Sequence, residues 1–155
     1  MTDAFFRASV GACLFDRDGR VLVLRRKSPP DAWQMPQGGI GLGETPLEAL
    51  RREVREETGL QAQDFEVAAE IPEWQVYEVP VENRNPKVGW GQAQRWFLCR
   101  FAASASRVRP DEVEFSEAQW IAPEELMRRV VPFRKAIYAR VLAVLAGRRA
   151  ASPAA

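Results

Sequence analysis

Short apolar segments along the chain are separated by polar, turn-forming stretches. Six of them are β-prone in composition, and three are followed directly by Asp or Pro, a pattern typical of β-strands. The predicted strands are Ala8–Phe15, Val21–Leu24, Phe65–Ile71, Trp74–Val79, Ala93–Phe101 and Glu114–Ile121. Turn-forming residues 16–19 join the first two strands, which are therefore expected to form a hairpin.

One predicted helix carries three start signals at the same place. A threonine cap at Thr45, a proline at the next position and a glutamate three residues after the cap predict a helix that runs to Glu57. Gly59 supplies its stop. The apolar residues expected to pack on the sheet recur at spacings of three and four, and they are Leu47, Leu50 and Val54.

The C-terminal part of the chain predicts two further helices. A short one opens at Pro123–Leu126, and a longer amphipathic one spans Arg134–Leu145. The residues expected to face inward are Ile137, Val141, Val144 and Leu145. Because 155 residues suit a single core, residues 1–149 are predicted to form one domain and residues 150–155 a frayed tail.

Composition narrows the class of protein. The chain is 46% hydrophobic and 28% charged, as in a globular domain, and its 22 basic and 21 acidic residues nearly cancel. A polyanion could therefore be attracted only by local clusters of charge. Cys13 and Cys99 stand in apolar runs and are expected to be buried packing residues. Since no leader-like or membrane-spanning segment is found, a cytoplasmic protein that contacts no membrane is expected.

The chain contains no histidine. This absence excludes Ser-His-Asp triads, Cys-His proteases, phosphohistidine intermediates and His-ligated zinc. A hydrolase of this composition must hold a metal with carboxylates and move protons with carboxylates or lysine.

Three glutamates of the first helix, Glu53, Glu56 and Glu57, stand at i, i+3 and i+4 and so share one face. At ~5 Å and an effective dielectric of ~20, two carboxylates repel by roughly 3 kcal/mol. A hard divalent cation such as Mg²⁺ would reverse the sign of that interaction. The alternative is a solvated helix face held by i,i+4 ion pairs with arginine. The glycine-rich loop from Gly38 to Gly43 favours the metal site, because its backbone, at Gly38, can reach the same ion.

These residues resemble the Nudix box. Gly38, Glu44 and the run Arg52–Leu60 match the fixed positions of that motif, including its five-residue and seven-residue spacers. The resemblance implies a fold of the α/β class, an α/β/α sandwich around a mixed β-sheet with the box as a loop-helix-loop.

The resemblance also implies roles for these side chains. Glu53, Glu56 and Glu57 match glutamates that ligate one or more Mg²⁺ ions, for which Mn²⁺ or another divalent cation could substitute. Arg52 matches a residue that orients a glutamate. Glu44 either joins the ligands or braces the loop before the helix.

Four segments outside the box resemble one branch of the family, the RNA pyrophosphohydrolases and the related diadenosine polyphosphate hydrolases. They are residues 33–39, 91–97, 114–115 with Trp120, and 131–138. In that branch the residue matching Glu114 is a further metal ligand. The alternative is an ordinary exposed strand glutamate.

Six residues are predicted to bind substrate, and they are Arg7, Arg26, Gln37, Tyr77, Arg134 and Lys135. Guanidinium groups can stack on a base or pair with a phosphate, although exposed arginine and lysine side chains are often only solvated surface. Trp33, Trp96 and Trp120 are expected to be core residues rather than base-stacking platforms.

The predicted activity is Mg²⁺-dependent removal of pyrophosphate from 5′-triphosphorylated RNA, with a nucleotide or RNA end and no DNA as partner. Glu53, Glu57 and Arg52 are the predicted catalytic residues; Glu53 is the first candidate for the general base and Glu114 the second. One alternative is hydrolysis of diadenosine polyphosphates, which the short loop Val81–Trp90 leaves open. Alternatives of other classes are a nucleotide-binding module without activity and a purely structural partner protein.

Overall fold

The computed structural model describes residues 4–151, which form a mixed β-sheet with helices on both faces. Its strands are β1 (Phe6–Phe15), β2 (Val21–Arg26), β3 (Trp33–Gln34), β4 (Gln37–Gly39), β5 (Phe65–Glu70), β6 (Gln75–Glu78), β7 (Gly91–Phe101) and β8 (Phe115–Ile121). Its helices are α1 (Pro46–Thr58), α2 (Pro123–Arg129) and α3 (Lys135–Ala151). The predicted α/β sandwich around a mixed sheet is confirmed.

Strand β1 lies at the centre of the sheet. It pairs in parallel with β7 along its whole length, from Phe6 opposite Gly91 to Phe15 opposite Arg100, and antiparallel with β2 and β4. Strands β5 and β6 continue the sheet beyond β7, and β3 and β8 continue it beyond β2. The parallel pairing places the beginnings of β1 and β7 side by side at one end of the sheet, and the candidate site lies there.

Each face of the sheet has its own hydrophobic core. Val10 and Leu14 of β1 pack with Leu50 and Val54 of α1 on one face. On the other face, Cys13 packs in a cluster that includes residues of α2 and α3. Because both faces of β1 are covered, the strand reads as a continuous apolar run rather than as an alternating one.

The predicted strands and helices are found with small changes at their ends. Strands β3 and β4 were not predicted, because two or three residues are too few to show a period. The prediction that Leu47 is buried is wrong, since its side chain is 39% exposed. The buried face of α1 runs instead through Ala49, Leu50 and Val54 and leaves Leu47 at its rim.

Helix α3 continues beyond its predicted end at Leu145 to Ala151. The predicted frayed tail is therefore wrong for Ala150 and Ala151, which are helical because no proline interrupts the alanine-rich sequence before Pro153. Residues 152–155 of that prediction lie outside the described residues. Of the four predicted inward residues of the helix, three are buried and Val144 is only partly buried.

The two cysteines and two of the three tryptophans predicted to be core residues are buried. Cys13 and Cys99 are buried, and burial raises the pKa of the Cys13 thiol to about 12. Trp33 and Trp96 are buried, while Trp120 is partly buried against the core on the α1 face. Within residues 4–151, no helix has the length and apolar character needed to cross a membrane.

Candidate active site

The loop before α1 and the first turn of the helix are fixed by local hydrogen bonds. The Thr45 hydroxyl accepts from the Glu48 N–H at 3.2 Å, and the Glu48 carboxylate accepts from the Thr45 N–H at 2.8 Å. At the other end, Gly59 adopts a left-handed conformation with φ of 75° and donates its N–H to the Arg55 carbonyl. The sequence signals of a capped helix therefore set where the glutamates of α1 begin and end.

Arg52 is the centre of an ion-pair cluster at the outer edge of the site. Its guanidinium donates to both oxygens of Glu44, at 2.7 and 2.8 Å, and to Glu53 at 2.7 Å. It also reaches Glu56 at 3.3 Å and the Gly39 carbonyl at 2.8 Å. One planar guanidinium thus holds three carboxylates and the end of β4 in a fixed arrangement.

Glu44 braces the loop in this structure. Its carboxylate accepts from the Gly41 N–H at 2.8 Å as well as from Arg52. The hydrogen bonds from Arg52, and then from Gly41, lower the pKa of Glu44 to about 2. Of the two sequence-based interpretations of this residue, the loop brace matches these contacts.

Glu57 lies deeper in the site. Its side chain is only 4% exposed, and its Oε2 accepts from the Gln37 N–H at 3.1 Å. Burial is the main cause that raises the pKa of Glu57 well above its usual value, and repulsion from Glu53 and Glu114 adds to it. Burial likewise raises the pKa of Glu53, against the opposing effect of Arg52. These carboxylates are close enough to repel one another in a region shielded from water.

Gly38 makes room for the Glu53 carboxylate. A Cβ atom at position 38 would lie 2.0 Å from the Glu53 carboxyl carbon, which is far inside van der Waals contact. The side chain of Glu53 can therefore lie over strand β4 only because residue 38 is a glycine.

The predicted metal ligands do not all converge. Within residues 4–151, no group of three acidic side chains lies close enough together to share one metal ion. Glu56 is largely exposed and contacts Arg52, and Glu114 pairs with Arg26, with 3.1 Å between Nη1 and Oε1. In the folded chain Glu56 and Glu114 are engaged by arginines instead.

The predicted substrate residues surround this end of the sheet. The Arg7 guanidinium lies over Gly39 and lowers the pKa of Glu53, and it forms no ion pair or hydrogen bond within the described part of the chain. The Arg134 guanidinium donates to the Gln34 side chain at 2.8 Å, and Lys135 is exposed at the start of α3.

Uncharged polar residues line the sheet face beside Arg7. The buried amides of Gln37, Gln92 and Gln94 approach one another at 3.4 Å, and Gln94 also accepts from the indole N–H of Trp96 at 3.1 Å. Tyr77, which is paired opposite Gln92, stacks on Phe133 with 5.8 Å between ring centroids.

Three atoms near these amides are buried without a hydrogen-bond partner in residues 4–151. They are Ser9 Oγ, Tyr77 Oη and Arg134 Nε. Buried polar atoms are normally paired, so their position suits a polar ligand. The sequence-based list of site residues omitted Ser9, Gln34, Gln92, Gln94 and Phe133. The uncharged polar residues Gln92 and Gln94, at alternate positions of strand β7, were the available signal.

Comparison with known proteins gives consistent results. A family model described as "NUDIX domain" matches residues 5–141. An RNA pyrophosphohydrolase of Cereibacter sphaeroides is 42% identical over 144 residues, which cover 89% of each chain. Nudix hydrolase 26, chloroplastic, of Arabidopsis thaliana is 37% identical over 152 residues, covering 91% of this chain and 69% of the relative.

Solved structures share the fold at low sequence identity. A dihydroneopterin triphosphate pyrophosphohydrolase from E. coli superposes with a TM-score of 0.72 at 20% identity, covering 91% of this chain and 99% of the other. A C. elegans Ap4A hydrolase superposes with a TM-score of 0.69 at 17% identity, covering 90% and 98%. At these identities the likeness concerns the fold alone.

Proposed function

The chain belongs to the NUDIX domain family and is a hydrolase of that family, and we propose that it removes pyrophosphate from the 5′-triphosphorylated end of RNA. The observation that carries the proposal is the buried Glu57 carboxylate, which accepts from the Gln37 N–H on strand β4, where the Glu53 carboxylate lies over Gly38 and the uncommitted guanidinium of Arg7 lies over Gly39. Negative charge that the protein leaves uncompensated, next to a free guanidinium, suits a metal-bound polyphosphate. Relatives named RNA pyrophosphohydrolase, 42% identical over most of the chain, support RNA as the substrate.

The donor chemistry of the site fits a divalent cation. Glu53 and Glu57 present desolvated carboxylate oxygens that repel each other, and Mg²⁺ prefers ligands of this kind. We assign the ion to these two residues and the Gly38 carbonyl; Glu56 and Glu114 join as further ligands only when they leave their ion pairs with Arg52 and Arg26, and Mn²⁺ can substitute. When bound, such an ion neutralises phosphate charge and lowers the pKa of water.

The chain's own residues position and move the proton. Glu53 is the proposed general base, and the proton of the attacking water goes to Oε2, since Oε1 accepts from Arg52. Burial raises the pKa of Glu53 and makes its carboxylate a stronger base than an exposed one. Arg52 fixes the orientation of Glu53, and Glu57 contributes negative charge behind it.

Substrate recognition falls to the polar residues of the sheet face. Arg7 pairs with a phosphate of the 5′ end, and Arg134 and Lys135 bind further anionic groups at the rim. The amides around Gln37 can hydrogen-bond base edges, while the Tyr77–Phe133 pair offers an aromatic surface to a base. Arg26 orients Glu114 through their ion pair.

A substrate panel tests the proposal. With Mg²⁺, triphosphorylated RNA is expected to exceed diadenosine tetraphosphate and simple nucleoside triphosphates in kcat/KM by about tenfold or more, which corresponds to ~1.4 kcal/mol of transition-state discrimination. A higher kcat/KM for diadenosine tetraphosphate than for triphosphorylated RNA would identify the diadenosine polyphosphate as the substrate instead. Tight nucleotide binding with no turnover in any divalent cation would identify a binding module instead.

A further inference from the structure

Helix α3 differs in charge from the other two helices. It carries Lys135, Arg140, Arg148 and Arg149 and no acidic residue, whereas α1 combines four glutamates with three arginines and α2 combines two with two. The helix therefore presents one sign of charge along its exposed side. Such a surface attracts polyanions even when the net charge of the protein is close to zero.

A cleft of about 1150 Å³ opens at the C-terminal end of α3. The side chains that give it its character are two aromatic rings and four guanidinium groups, and we call it the arginine cleft. They are Phe15, Phe101, Arg17, Arg100, Arg148 and Arg149, and the cleft is also lined by Asp16, whose carboxylate is paired with Arg20.

Most of these arginines lack an acidic partner. Arg148 donates to the Ala68 carbonyl at 3.3 Å, and Arg149 donates to the Arg17 carbonyl at 3.1 Å. In the part of the chain that the structure describes, Arg100 alone among the four has a carboxylate within reach, that of Glu66 at 3.4 Å. Within residues 4–151, Arg17, Arg148 and Arg149 form no ion pair, so their charges are available to a ligand.

Helix α3 connects the candidate active site to the arginine cleft. It begins next to Arg134 at the site, and its 17 residues at ~1.5 Å each span about 25 Å. Strand β1 gives the same separation, since the eight steps from Arg7 to Phe15 at ~3.3 Å each cover about 26 Å. A stacked nucleic-acid strand at ~3.4 Å per nucleotide covers this distance with roughly eight nucleotides, and an extended strand needs fewer.

We propose that the arginine cleft binds the RNA chain downstream of the 5′ end whose phosphates occupy the active site. This inference rests on the proposed function. Guanidinium groups pair with backbone phosphates, which every RNA sequence carries, so the cleft suits single-stranded RNA without sequence preference. Phe15 is buried beside Arg100, and Phe101 packs on Trp120. The glutamates of α1 repel a polyanion, so the surface of α3, which has no acidic residue of its own and where Glu73 is paired with Arg140, is the favoured path for the chain.

The test compares short and long substrates in two charge-reversal variants. Arg148→Glu removes a cation of the cleft, and Arg128→Glu is the control, because Arg128 is also an exposed arginine in the last turn of a helix but lies outside the cleft, where it pairs with Glu125. For triphosphorylated RNA of about 16 nucleotides, Arg148→Glu is expected to raise KM about five- to tenfold. The slope of log KM against log salt concentration is expected to fall by about one to two, which corresponds to the loss of one or two phosphate contacts. For a triphosphorylated dinucleotide, both variants are expected to match the parent protein.

Several outcomes would overturn the inference. One is that Arg148→Glu changes KM equally for short and long RNA, and another is that Arg148→Glu and Arg128→Glu have equal effects. If circular dichroism shows that Arg148→Glu does not fold, Arg148→Gln takes its place, and a normal dependence of KM on RNA length in Arg148→Gln would then overturn the inference. Binding of phosphatidylserine vesicles that depends on Arg148, with unchanged KM for long RNA, would assign the cleft to a lipid surface.

A direct binding measurement separates this inference from the proposed function. Fluorescence anisotropy with 5′-hydroxyl RNA of about 16 nucleotides does not depend on hydrolysis. If triphosphorylated RNA is not a substrate but this RNA still binds more weakly to Arg148→Glu than to Arg128→Glu, the cleft stands and the proposed activity fails. If Arg148→Glu and Arg128→Glu bind this RNA with equal affinity, the cleft does not bind RNA, and the proposed activity is not affected by that result.

Discussion

The acidic residues of the site form two groups that differ in whether a cation of the chain contacts them. In the outer group, Glu44, Glu53 and Glu56 all contact the single guanidinium of Arg52. In the inner position, Glu57 is buried, accepts one hydrogen bond from a backbone N–H, and has no contacting cation within residues 4–151. The outer charges are balanced by the chain itself, whereas the inner charge is left for something outside the chain to balance.

The carboxylates paired with Arg52 are held in position, whereas the unpaired carboxylate of Glu57 is suited to bind a cation. An ion pair with Arg52 fixes where a carboxylate points, as the low pKa of Glu44 reflects. A buried carboxylate without a cation costs free energy in the folded protein until a cation arrives. Glu53 belongs to both groups, because it contacts Arg52 and repels Glu57.

Replacement of Glu53 should have the largest effect. Glu53→Gln keeps the shape of the side chain and removes the charge and the proposed base, so kcat is expected to fall by about 10²- to 10⁴-fold while the thermal midpoint Tm changes little. Steady-state kinetics over a range of Mg²⁺ concentrations measure this. The control is Glu124→Gln, on the exposed first turn of α2, and near-normal turnover in Glu53→Gln would contradict the proposed role.

Replacement of Glu57 tests the inner position by stability as well as by activity. Without metal, Glu57→Gln should raise Tm at neutral pH, because it removes a buried, repelled charge; ~1 kcal/mol corresponds to roughly 2–4 °C in a domain of this size. Since the folded-state pKa is raised above the usual 4.5, the penalty is absent below that pH and grows as the pH rises from there toward the folded-state pKa. Calorimetry in chelator at several pH values measures it. An unchanged or lower Tm at neutral pH would show that the charge of Glu57 is already compensated.

Replacement of Glu44 should give the smallest effect, limited to an acid window. Its pKa is lowered from 4.5 to about 2, so the ion pair with Arg52 stabilises the fold above pH 4.5 and is lost as the pH falls toward 2. Glu44→Gln should therefore have a lower Tm than the parent protein near neutral pH, and the two curves should meet at the acid end. Glu82→Gln, an exposed glutamate without an ion pair in the described residues, is the control. If the plots of Tm against pH for Glu44→Gln and the parent protein run parallel, the charge of Glu44 does not brace the loop.

Local signals in the sequence predicted α1 well and the surroundings of its glutamates poorly. The cap at Thr45 and the stop at Gly59 depend on neighbouring residues only, so the helix was placed to within one residue of its observed end. The Arg26–Glu114 pair joins residues 88 positions apart, and no local pattern indicates it. For the same reason the amides of Gln92 and Gln94 were not assigned to the site, since the parallel register of β1 and β7 brings them beside Arg7 and Ser9.

The outward position of Leu47 has a similar origin. Spacing along a helix identifies an apolar stripe but not its rotation relative to the sheet, which depends on how Ala49 and Val54 fit against β1. The extension of α3 to Ala151 was missed for a different reason, because alanine and arginine are good helix formers but show no apolar period there.

The hydrogen bond from the Gln37 N–H to Glu57 makes a backbone group of strand β4 sensitive to the charge in the centre of the site. A carboxylate accepts such a bond more strongly than a neutral carboxyl group does, and an ion that draws charge away from Glu57 weakens it. The resonance frequency and the hydrogen-exchange rate of this one amide therefore follow the electrical state of the site. The Gln37 amide is thus a spectroscopic probe of the charge on Glu57.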